Sequence, residues 1–201
     1  MNEKFEKIIK SNVSKHDKLA QILRLIIDEC HIKPDSYFIL GSYAIREKRE
    51  INDLDINMND KEFEKLAKCT DGIDAYGKVE PYNNQIRWFF DLTDTHNKLT
   101  DSNAQDFSIE IFKKKPLEGF PNETFSLQRL QETNGLSKDV YGHPYFSLDT
   151  LLLWKKTMGR DKDKADIKII EDMLSMKGGD HYTHKYIKYK NKYMNLKNGI
   201  I

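Results

Sequence analysis

Residues 53 to 58, "DLDINM", set Asp53 and Asp55 one residue apart in an apolar run, and Gly41-Ser42 closes the apolar run before it. In a strand, residues i and i+2 share a face, so the two carboxylates point together while Leu54 and Ile56 pack on the other side. Two like charges that close raise each other's pKa and destabilise the fold. A hard divalent cation such as Mg2+, which prefers carboxylate oxygens, removes that penalty. The simpler reading is a solvated edge strand with alternating polar residues. Gly41 bears on the choice, because a glycine after a strand lets backbone N–H groups approach an anion, and the Ser42 hydroxyl adds a donor. Phosphate donors beside metal ligands are what metal-assisted phosphoryl or nucleotidyl transfer requires.

The pattern "GS…NDLDI" resembles the signature of the DNA polymerase β-like nucleotidyltransferase superfamily. The resemblance implies that Gly41 and Ser42 grip a nucleoside triphosphate and that Asp53 and Asp55 bind Mg2+ or Mn2+. It also implies a third carboxylate on a neighbouring strand. Glu110, between Ile109 and Ile111 in "SIEIF", fits that position and completes a catalytic set of Asp53, Asp55 and Glu110. The superfamily usually has Asp there, so Glu110 is a departure with a longer reach; Asp91 in "WFFDLT" and Asp106 before the strand are the alternatives. Alternation alone would put Glu110 on the face opposite both isoleucines.

A second segment, "LLLWKKTMGRDKDKADI" at 151–167, ends one helix at Gly159 and alternates basic and acidic residues after it. The plain reading is a helix–turn–helix with solvated charges and capping aspartates at Asp163 and Asp166. The segment also looks like one that follows the catalytic sheet in the AbiEii-like toxin nucleotidyltransferases and related antibiotic-modifying enzymes. That resemblance implies a helix beside the active site, with Lys155 toward the nucleotide and Arg160 and Lys162 ordering the turn or touching substrate. A surface lysine is the alternative for Lys155. The patterns GxxxxGK[ST], GxGxxG and HExxH are absent, and the six histidines are scattered.

These residues need elements to hold them. Leu19, Ile22, Leu23, Ile26 and Ile27 fall on one helical face of "SKHDKLAQILRLIIDEC", after a first helical segment "NEKFEKIIK". Pro34 forces a turn, and "YFILGS" is a short buried strand. A helix is expected over 61–69, capped at Asn59 or Asp60. "QIRWFFDLT" and "DFSIEIFKK" are two further strands, joined by an exposed hairpin loop over 94–105. Beyond Pro116 come helices "SLQRLQETNG", "SLDTLLLWKKTMG" (capped by Ser147) and "KDKADIKIIEDMLSMKGG". The expectation is an α/β (α+β) chain with a small mixed sheet flanked by helices and a helical C-terminal half. Its parts are a catalytic section 1–116 with N-terminal helices, a helical section 117–179, and a basic tail 180–201.

Composition narrows the class. Lys and Arg total 33 against 32 for Asp and Glu, which excludes a histone-like binder and an acidic tail. No apolar stretch approaches the ~20 residues of a membrane span. Cys30 and Cys69 have no ligand spacing; they read as small buried apolar residues in a reducing, cytoplasmic compartment. In the tail, Tyr182, Tyr186, Tyr189, Tyr193 and Leu196 form a stripe flanked by Lys185, Lys188 and Lys192. It is read first as a docking helix, on the domain or on a second copy in an oligomer, and second as a nucleic-acid contact. "KYIKYKNKYMNLK" also looks like a tail found in proteins of large DNA viruses of eukaryotes, which implies a viral source and the host cytoplasm. The expected activity is transfer of a nucleoside monophosphate from an NTP to a hydroxyl of RNA, protein or a small molecule. The alternative is a non-catalytic nucleotide- or nucleic-acid-binding protein.

Overall fold

A computed structural model describes residues 2–70, 85–90, 107–113 and 125–176. The hairpin loop over 94–105, Asp91, Asp106 and the tyrosine stripe of the tail lie outside the described residues. The chain divides into two units, Met1–Leu151 and Leu152–Ile201.

Two helices come first, α1 (Asn2–Ile9) and α2 (Lys15–Glu29). Ser14 caps α2 by accepting the Asp17 N–H, and the expected stripe from Leu19 to Ile27 is buried. After the turn at Pro34 comes β1 (Tyr37–Ile39), then a 3-10 turn (Gly41–Ile45) and β2 (Asp53–Met58). Helix α3 (Asp60–Thr70) follows at once; Asn59 is its cap, its Oδ1 accepting the Glu62 N–H at 2.9 Å. Strands β3 (Gln85–Phe90) and β4 (Phe107–Lys113) match the two β-rich segments. Next come α4 (Leu127–Glu132), β5 (Leu136–Lys138), β6 (Pro144–Phe146), α5 (Leu148–Met158), a 3-10 turn (Asp161–Asp163) and α6 (Lys164–Met176).

The six strands form one mixed sheet in the order β3-β4-β2-β1-β6-β5. β2 runs parallel to β4 and antiparallel to β1, while β3–β4 and β5–β6 are antiparallel pairs and β1–β6 is parallel. The mixed α/β architecture is as expected. The described part of the C-terminal half is mostly helical, as expected, but it also carries the short strands β5 and β6, which extend the sheet beyond β1.

The two sheet faces are chemically distinct. Leu54 and Ile56 of β2, Ile109 and Ile111 of β4, and Ile86 and Trp88 of β3 join α2 and α3 in one apolar core. The alternate residues Asp53, Asp55, Asn57, Ser108, Glu110, Gln85 and Arg87 share the other face, as the register requires. At its β1 end that face turns aromatic: Phe38 lies 5.4 Å from Phe146, and Phe146 lies 5.8 Å from Phe125.

The cysteines are not isolated thiols. Cys30, at the C-terminus of α2, is disulfide-bonded to Cys69 in the last turn of α3. A bonded pair removes the thiol argument for a reducing compartment, where such bonds are rare. Among the described residues no helix is long and apolar enough to cross a membrane.

Candidate active site

Asp53 and Asp55 lie on one face of β2, Asp53 exposed and Asp55 half-buried. The parallel pairing of β2 with β4 sets Asp53 against Ser108 and Asp55 against Glu110. Glu110 therefore stands on the carboxylate face, opposite Ile109 and Ile111, as alternation implied. Its register partner on the far side is Arg87 of β3.

The turn after β1 meets the same strand. The Leu40 N–H donates to the Asp55 carbonyl at 2.7 Å, which locks the end of β1 onto β2. Gly41 then takes φ +67°, in the left-handed region, and starts the 3-10 turn that carries Ser42. A side chain at Gly41 would sit 3.8 Å from Asp55 Oδ2, an ordinary contact. Glycine is thus required by backbone conformation rather than by crowding. Gly41 and Asp55, far apart in sequence, are neighbours here.

Glu110 is engaged. Gln85 Nε2 donates to its Oε2 at 2.8 Å and Arg87 Nη2 to the same oxygen at 2.9 Å. The sequence reading missed both donors. The signal was the alternation Gln85-Ile86-Arg87-Trp88, which sets Gln85 and Arg87 on one face once the isoleucine and tryptophan are assigned to the core.

The donor types suit a divalent cation, but their present geometry does not assemble a site for one. Three hard oxygen donors share one face of two adjacent parallel strands, which suits Mg2+ or Mn2+. In this arrangement they do not converge. Among the described residues no three acidic, histidine or cysteine side chains stand close enough together to hold a metal. Glu110 is turned instead toward Arg87 and Gln85.

In the second unit the charged segment is packed at Lys155, Asp163 and Asp166 and solvated at Asp161, Lys162 and Lys164. Lys155 is 2% exposed, and its Nζ lies 2.8 Å from Asp163 Oδ1 and 2.8 Å from Asp166 Oδ2. Asp163 and Asp166 are themselves 2% and 1% exposed. This corrects the solvated-charge reading for Asp163 and Asp166, and the alternative of Lys155 as a surface lysine. Arg160 Nε donates to Asp163 Oδ2 at 2.6 Å, so two cations meet two carboxylates. Burial pushes the Asp163 pKa up, but the hydrogen bonds from Arg160 and Lys155 outweigh it, and the carboxyl titrates below its usual range. Gly159, at φ +62°, makes the turn that brings α6 back to Lys155. The spacing of the segment thus has a structural cause: it joins α5 to α6. Lys162 is exposed.

A buried polar network supports the sheet near β1. His143 is fully buried, with Nε2 2.9 Å from the Ala20 carbonyl and Nδ1 2.7 Å from the Tyr37 hydroxyl. A carbonyl only accepts, so Nε2 carries the proton and Nδ1 accepts from Tyr37. Asp139 receives the Tyr43 hydroxyl at 2.7 Å and the N–H groups of Tyr141 and His143. Tyr43 follows Ser42, so this network anchors the Gly-Ser turn from behind.

Comparison with known protein families, with characterised proteins and with solved structures finds no match to this chain.

Proposed function

We propose that this chain is a metal-dependent nucleotidyltransferase on a nucleotidyltransferase fold, moving a nucleoside monophosphate from an NTP to a hydroxyl acceptor. The observation that carries the reading is the register of Asp55 against Glu110 on parallel strands, with Gly41 beside Asp55. Carboxylates side by side on one sheet face, next to a glycine turn, suit a reaction that handles a metal-bound triphosphate.

Asp53, Asp55 and Glu110 would hold Mg2+ or Mn2+, which when bound neutralises phosphate charge and activates a hydroxyl. Gly41 and Ser42 offer an N–H and a hydroxyl to the triphosphate. The acceptor oxygen forms a bond to the α-phosphorus as the bond from that phosphorus to the bridging oxygen breaks. Pyrophosphate leaves with the electron pair, and the hydroxyl proton passes to solvent. The chain contributes position and preorganised charge.

A second reading, nucleotide binding without transfer, is favoured by one observation: Glu110 is held by Arg87 and Gln85. The experiment that separates the two incubates the protein with each α-labelled NTP, Mg2+ or Mn2+, and total RNA or lysate, beside Asp53→Asn. Label on an acceptor that disappears in the variant supports transfer; label that survives sinks the assignment. Absence of label with NTP-dependent thermal stabilisation retained selects the binding reading.

A further inference from the structure

Glu110 occupies the middle of a three-residue row across the sheet, with Asp55 on one side and Arg87 on the other. Its carboxylate turns toward the Arg87 side, where Arg87 and Gln85 share one oxygen. A glutamate, longer than aspartate by one methylene, has the reach to turn either way from this position. The ion pair is only partly buried, Arg87 being 36% and Glu110 18% exposed, so its strength is modest and it can exchange.

We infer that Arg87 is a positioning residue that holds Glu110 off the Asp53–Asp55 pair, so that a divalent cation binds only as Glu110 changes partner. The inference rests on the reading of Asp53 and Asp55 as metal ligands. Cation charge at Asp55 attracts Glu110 and repels Arg87, which drives the exchange. The cation's apparent affinity is lowered by the fraction of molecules in which Glu110 is held.

The test is Mn2+ binding to the full chain, followed by electron paramagnetic resonance, with no nucleotide or turnover involved. Asp55→Asn should weaken binding strongly. Arg87→Met should tighten it by roughly fivefold, the size expected for releasing a partly exposed pair. Arg87→Lys, a conservative change that keeps the charge and loses the fork, should fall between and serves if Arg87→Met fails to fold. In a Glu110→Gln background, replacing Arg87 should tighten binding much less than in the wild type, because the held carboxylate is gone and only the relief of like-charge repulsion remains. Tightening that persists in full in that background makes Arg87 a repelling charge only and overturns the inference, as does no tightening from either Arg87 variant. Equal binding by wild type and Asp55→Asn instead overturns the metal reading itself.

Discussion

Removing the Cys30–Cys69 bond perturbs the packing of α2 against α3 at one point, and the size of the effect follows from the chain it closes. The two cysteines are 39 residues apart in sequence. In the chain-entropy treatment, a loop of about 40 residues removes about 13 cal/mol/K from the unfolded ensemble, or about 4 kcal/mol at 25 °C. Cys30 and Cys69 carry little side-chain volume, so a Cys30→Ala, Cys69→Ala double variant adds only a small packing loss to that figure. A fall of about 4 kcal/mol corresponds to a melting temperature lower by roughly 8–16 °C in a unit of this size. Urea unfolding should be run on the wild type with and without dithiothreitol, and on the double variant with and without it. The wild type should lose stability on reduction and meet the variant, which should be indifferent to reductant. Thiol titration of the unreduced, denatured chain should find no free thiol from these positions. Equal midpoints for oxidised and reduced wild type, or two free thiols, would refute the reasoning.

Three other outcomes are expected. Lys155→Met leaves Asp163 and Asp166 buried with less compensation and should cost about 3–5 kcal/mol in urea unfolding, with part recovered when both aspartates are also made asparagine. Gly41→Ala, at φ +67°, should cost about 1–2 kcal/mol, and Gly41→Asn less, since Asn tolerates the left-handed region. Burial holds the His143 pKa below its usual 6.5, so the folded state keeps the ring neutral. Its contribution is then complete above pH 6.5 and is lost as pH falls toward the folded pKa. Melting temperatures between pH 5 and 8 should show that fall in the wild type and a shallower one in His143→Gln.

What the sequence made legible was short-range. Alternation put Asp53 and Asp55 on one face and Glu110 opposite its isoleucines, and helical spacing marked the buried stripe of α2. These patterns follow from side-chain direction within one element. Arg87 and Gln85 were not legible as partners of Glu110, since their meeting depends on the register of β3 with β4. Strands β5 and β6 have three residues each, too few for a period to show. The disulfide joins the ends of two helices, and the spacing of two cysteines says nothing of where those ends meet. Lys155 lies at the polar end of "LLLWKK", and only the turn at Gly159 reveals that two aspartates fold back over it.

The central claim is that the acids on β2 and β4 serve nucleotidyl transfer. The most direct measurement compares acceptor labelling from α-labelled NTP, with Mn2+ and lysate, by wild type, Asp53→Asn, Asp55→Asn and Glu110→Gln at matched folding. The account predicts labelling by the wild type, with pyrophosphate released in step, and loss of nearly all of it in each variant. Labelling that persists in Asp53→Asn or Asp55→Asn would contradict it.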